Sequence, residues 1–170
     1  MRIAAACVAV LMAGGCGYHV AGRADLLPKN IKTIAVPAFG NATTRYLLAR
    51  LLPEDITREF ISRTRYRIVA DPAQADAVLT GGVVNAYAYP TTLDPTSGRA
   101  TAVQMGVTLS LTLTDHTTSM VIWSNPAAVY RERYEISLDP AKYFDESSPA
   151  MIRLSRDVAQ DVVTSILEKF

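Results

Sequence analysis

From Val103 to Leu113 the odd positions are Val103, Met105, Val107, Leu109, Leu111 and Leu113, and between them lie Gln104, Gly106, Thr108, Ser110 and Thr112. Successive side chains of a strand point to opposite faces, so a strict period of two over this length dictates a strand with one buried face and one open face. The chain must therefore build a sheet and bring something apolar to cover one side of it. Asp115-His116-Thr117-Thr118 reads as a turn, and the extended segment from Met120 to Ile136 pairs back as a hairpin.

The cover comes from two helices. The last, with Ser148 as N-cap and Pro149 at its first position, repeats Met151, Leu154, Val158, Val162 and Ile166 at spacings of three and four. This single apolar stripe needs a sheet to lie on. An earlier helix carries Leu47, Leu48, Leu51, Ile56, Phe60 and Ile61, with Thr43 or Thr44 as its cap and Pro53 predicting a kink, or a break with Pro53 restarting the helix in its first turn. Strands are expected at Ile31–Phe39, ended by Pro37 and a Gly40-Asn41 turn, at Tyr66–Val69, and from Ala77 to Tyr89. Together they predict an α+β domain, a two-layer sandwich with both helices on one face of a mixed four- to five-stranded sheet. Its other face, bearing Thr, Ser and Gln, is free to meet water or a partner.

The N-terminus sets the compartment. Met1–Gly15 has one charge, Arg2, then an uncharged run from Ile3 to Ala13 too short to span a bilayer, then two glycines. This is the layout of an export signal over residues 1–15. Ala13 and Gly15 suit ordinary signal cleavage, while LMAGGC, residues 11–16, also reads as a lipobox that makes Cys16 the lipid-bearing first residue of the mature chain. Cysteine arithmetic favours the lipid: Cys7 lies in the segment removed, so the mature chain has one cysteine and forms no internal disulfide. A lone exported thiol is a liability unless modified. Residues 16–29 then serve as a lipidated tether and residues 30–170 as a single domain, anchored to a membrane rather than spanning it.

Charge and motif exclude other classes. Of 17 basic and 16 acidic residues, removal of Arg2 leaves 16 against 16. A nominally neutral domain has no broad basic field for nucleic acid, and any anion must be met by a few placed side chains. His19 and His116 are far apart and lack paired cysteines for a metal. No glycine-rich phosphate loop or nucleophile elbow is present, so neither catalysis nor a cofactor is expected beyond the lipid on Cys16. Arg58, Arg63, Arg65 and Arg67 read as cations near a helix C-terminus. Two loops stand out. One, Tyr89 to Ala102, places Arg99 at the tip of a long hairpin; the other, Asp139 to Pro149, places Lys142 beside Tyr143 and Phe144, an aromatic and charged group suited to an interface.

Cys16-Gly17-Tyr18-His19 after the lipobox, Leu27-Pro28 before Ile31–Pro37, Phe39 with Asn41 and Thr43, the Gly98 loop before the alternating strand, and the C-terminal amphipathic helix occur in the order that resembles the LptE family. These are lipopolysaccharide-assembly lipoproteins of the Gram-negative outer membrane. The resemblance implies a plug inside the lumen of a large LptD-type β-barrel, which the protein helps to assemble, and contact with lipopolysaccharide. It also implies lipopolysaccharide-binding cations before the alternating strand and near the start of the last helix. Arg99 and Lys142 are the nearest here, with Thr96 at the first position in an alternative register. Gly17 after the cysteine, in place of a retaining aspartate, implies outer-membrane sorting.

Two other readings compete. IAVPAFGNAT, residues 34–43, is also similar to the opening of secretion-pore lipoproteins and of peptidoglycan-synthase activators. The Cys-Gly-Tyr-His start and short length favour LptE, and no amphipathic segment after Cys16 is long enough to build a pore of its own. A periplasmic carrier holding an apolar ligand between sheet and helices would need a cavity where the stripes from Leu109 to Leu113 and from Leu154 to Ile166 read as core.

Overall fold

A computed structural model describes residues 27–139 and 146–169. The elements follow as β1 (Thr33–Ala35), β2 (Gly40–Asn41), α1 (Tyr46–Arg63), β3 (Arg67–Val69), a 3-10 turn at Pro72–Gln74, β4 (Ala77–Leu93), β5 (Ala100–Asp115), β6 (Val121–Glu135) and α2 (Ser147–Glu168). The sheet order is β3-β1-β4-β5-β6, with β2 also on β4. β1 lies parallel to β3 and β4, whereas β4, β5 and β6 form an antiparallel meander. The sheet is mixed, as expected, and has six strands rather than four or five. The extra one is β2: Gly40 and Asn41, read as a turn, pair in parallel with Gly82 and Val83.

Burial follows the alternation in β5. Val107, Leu109, Leu111 and Leu113 are fully buried while Thr108, Ser110 and Thr112 stay half-exposed. The apolar cover is supplied by Leu48, Leu52, Ile56 and Phe60 of α1 and by Leu154, Val158, Val162 and Ile166 of α2, which join β4 and β5 in one core. Both helices lie on this side, as the stripes required, and the interior where a carrier would hold its ligand is packed with these side chains.

The helix boundaries depart from the sequence reading. α1 runs unbroken through Pro53, which is not the restart of a second helix. Proline removes one main-chain bond at a cost of about 3 kcal/mol, and here the fully buried Leu52, Ile56 and Phe60 on both sides hold the helix together. Thr43 does not cap α1 directly. Its hydroxyl accepts from the Arg45 amide and donates to Asn41 Oδ1, so Asn41 organises the turn ahead of the helix. α2 begins at Ser147, one residue before the expected cap, with Ser148 and Pro149 inside its first turn.

Polar groups stitch the helices together. Asp55 on α1 accepts from the buried Ser155 hydroxyl on α2 at 2.7 Å and also pairs with Arg58. Arg63 reaches from α1 to Thr164 Oγ1 at 2.6 Å while pairing with Glu59. These two members of the arginine cluster are thus structural.

Candidate functional site

At about 3.3 Å per residue, the 15 to 17 residues of β4, β5 and β6 extend for about 50 Å, against about 33 Å for the 22 residues of α2. The sheet is therefore longer than its cover and has two distinct ends. At one, the chain enters through Leu27; at the other, the β4–β5 hairpin turns over.

The open face is assembled by register. Tyr87 pairs with Gly106, which pairs with Arg131; Tyr89 pairs with Gln104, which pairs with Arg133. Residues directly opposite one another share a face, so two rows of three lie side by side. A bulge at Val84 resets the phase of β4 and brings the tyrosines to this side. Tyr87 lies across Gly106, where an added Cβ would fall 2.2 Å from its ring. Tyr89 stacks on Tyr87 with centroids 5.9 Å apart and planes at 16°. On β6 both arginines are exposed, and neither guanidinium has an ion pair or hydrogen bond among the described residues. A flat aromatic pair beside two free guanidinium groups can stack on a ring and bind phosphate or carboxylate bidentately.

Arg99 sits where the sequence placed it, on the hairpin tip, although β4 runs on to Leu93 and the loop shrinks to six residues, 94–99. Asp94 builds the turn by accepting from the Ser97 amide and hydroxyl, both at 2.7 Å, and these bonds, the hydroxyl first, hold its carboxyl below the usual carboxylate range. Gly98 supplies the left-handed backbone, φ 67°. The exposed Arg99 guanidinium donates to the Leu138 carbonyl at 3.4 Å. Lys142, Tyr143, Phe144 and Cys16 lie outside the described residues. Ser137 and Glu146, on either side of residues 140–145, line one cavity of about 460 Å³ with Thr92, Thr101, Arg133 and Glu135. Arg99 and both flanks of the Lys142 loop thus come to the same end of the sheet, and Arg133 belongs to that end as well.

Sequence reading missed Tyr87, Tyr89, Arg131 and Arg133. The signal was there as Tyr-Ala-Tyr and Arg-Glu-Arg, each an i, i+2 pair that a strand presents on one face. Which face, and that the two pairs meet, depended on the bulge and on strand register.

The profile of the LptE family, described as lipopolysaccharide-assembly, matches residues 31–166. The chain belongs to the LptE family. The LptE family is a non-enzymatic lipoprotein family, and the chain is an outer-membrane lipoprotein of the LptE type. No curated protein matches the chain in sequence. Among solved structures it is similar to an uncharacterized lipoprotein B from Nitrosomonas europaea, with 16% identity, TM-score 0.56, and coverage of 83% of this chain and 84% of that one. It is also similar to a PelC dodecamer from Paraburkholderia phytofirmans (15%, TM-score 0.53, 85% and 93%) and to a protein from Xanthomonas campestris (13%, TM-score 0.54, 86% and 89%). At these identities the likeness is one of fold.

Proposed function

We propose that this LptE-family protein is anchored in the outer membrane by a lipid on Cys16, plugs and helps to assemble an LptD-type β-barrel, and assists insertion of lipopolysaccharide into the outer leaflet. The open sheet face carries the reading: a neutral, elongated domain that leaves one side polar is compatible with the polar lining of a barrel lumen. Arg131, Arg133 and Arg99 supply placed cations that a domain of balanced charge would need for a phosphorylated saccharide. In this reading Arg99 and Lys142 contact lipopolysaccharide, and Tyr143 and Phe144 contact the barrel.

The test is a detergent pull-down of the tagged full-length chain from native outer membranes, with the co-purifying chains identified by mass. A large β-barrel recovered near one to one is the expected result. Recovery alone, as a ring of itself or with a peptidoglycan synthase would overturn it in favour of a secretion-pore or synthase-activating accessory lipoprotein.

A further inference from the structure

The end through which the chain enters has a different chemistry from the open face. Here a cavity of about 290 Å³ is lined by Leu27, Lys29, Ile31, Lys32, Arg65 and Tyr66. Leu27, Ile31 and Tyr66 are buried and form an apolar floor, pinned where the Leu27 amide donates to the Tyr66 hydroxyl at 2.9 Å. Lys29, Lys32 and Arg65 stand exposed around it. The ammonium groups of Lys29 and Lys32 have no ion pair or hydrogen bond among the described residues.

The β5–β6 turn comes to the same place. Asn30 donates to Asp115 at 2.9 Å, and Asp115 also accepts the amides of Thr117 and Thr118. Ser119 takes a left-handed φ of 57°, and the next two residues, Met120 and Val121, are 68% and 59% exposed. The nearby carboxylates are already engaged: Asp76 holds the amides of Lys32 and Thr33 and the Thr33 hydroxyl, and Asp115 holds the turn. Exposed lysines around an apolar floor, with Lys32 also feeling the Asp76 carboxylate, lie at the same end of the sheet as an exposed Met-Val pair and make that end amphipathic, the composition that lies at a bilayer interface.

Chain length says what covers it. Only residues 17–26 separate Cys16 from Leu27. A chain of that length reaches at most about 35–40 Å fully extended. An anchor at Cys16 therefore makes this end, rather than the hairpin end of a sheet about 50 Å long, the one within reach of the headgroups. We propose that this end is a membrane-facing surface, in which Lys29 and Lys32 meet the phosphates of anionic phospholipids and Met120 and Val121 enter the interfacial layer. The orientation rests on the anchored reading above, but the surface is built from the domain's own side chains.

The test is flotation of the full chain carrying C16S, so that no lipid contributes, with vesicles of phosphatidylglycerol and phosphatidylethanolamine or of phosphatidylcholine alone. The leader is common to every variant compared. One cation near an anionic surface is worth about fivefold in partitioning, so K29Q/K32Q is expected to lower binding to the anionic vesicles about 25-fold. M120S/V121S is expected to lower it as well. All four side chains are exposed, so each variant should keep the parent's melting temperature, which is measured alongside. Equal binding to both vesicle types, or no effect of K29Q/K32Q, overturns the proposal. So does a loss confined to lipopolysaccharide micelles. Failure of the anchor itself is read separately, as the absence of lipid mass on Cys16 in the wild-type chain.

Discussion

Asp55 and Ser155 meet inside the α1–α2 interface, 6% and 0% exposed. Removing one partner of a buried hydrogen bond leaves the other desolvated, at a cost of about 1–3 kcal/mol. D55A should lower stability by about that amount, read as a shift in urea midpoint at constant slope. Gly81 faces the same core: a Cβ there would lie 2.7 Å from Leu111 and 2.8 Å from the Phe39 ring. G81A should therefore overpack the core and cost about 1–3 kcal/mol in the same assay. Asp115 gives the pH dependence. The Thr118 amide first, then the Asn30 side chain, the Thr118 hydroxyl and the Thr117 amide stabilise its carboxylate and hold its pKa below the ordinary value. A depressed folded pKa means that this stability is present above the unfolded pKa, about 3.9, and is lost as pH falls through that value towards the folded one. D115N should flatten the acid limb of melting temperature against pH. Asp55, Ser155 and Gly81 did not stand out in the sequence, and Asp115 was read only as part of a turn, because a lone Asp, Ser or Gly declares no partner until the chain has folded.

At the scale of elements, β5 was the most legible because period two follows directly from strand geometry. Its buried positions are the ones the alternation named. L111A should cost about 2–5 kcal/mol, and L111D should abolish the folded state by burying an unpaired charge. T112D, one residue along on the open face, loses a hydroxyl contact with Ser124 and some strand propensity and should cost only about 1 kcal/mol. Circular dichroism melts of the three variants check the pattern, and a soluble, folded L111D would show that β5 is not core. The α2 stripe was legible for the same kind of reason. Element ends were not. Pro53 signals a break by local propensity, and tertiary burial of the turns on each side overrides it. The two-residue β2 exists only because β4 offers Gly82 and Val83 a parallel neighbour.

At the scale of the whole molecule, a chain with nearly balanced charge gathers some of its cations at two places outside the helix ion pairs. Lys29, Lys32 and Arg65 cluster where the chain enters, and Arg131 and Arg133 stand on the open face, with Arg133 also at the hairpin end that holds Arg99. Such a polarised arrangement suits a protein held at a membrane by one end that offers its sheet face to something else. R131E/R133E should leave the melting temperature unchanged while reducing lipopolysaccharide retained on the purified protein by about tenfold or more, the worth of at least one charge-assisted hydrogen bond. Retention equal to wild type would remove the open face from the binding reading.

The sequence by itself determined the fold class, the buried face of β5, the apolar stripe of α2, the family and the place of Arg99 on a hairpin tip, whereas on α1 it named the exposed Ile61 and passed over the buried Leu52. Each of these depends on spacing along the chain or on local turn chemistry, both of which are written in residue order. Only the tertiary structure decided that Tyr87, Tyr89, Arg131 and Arg133 share one surface, that Asp55 reaches Ser155, and that Asn30 meets Asp115 of the β5–β6 turn. Those meetings depend on strand register, on one bulged residue and on how the helices cross the sheet. Such quantities are set by packing between segments far apart in sequence, which no local pattern encodes.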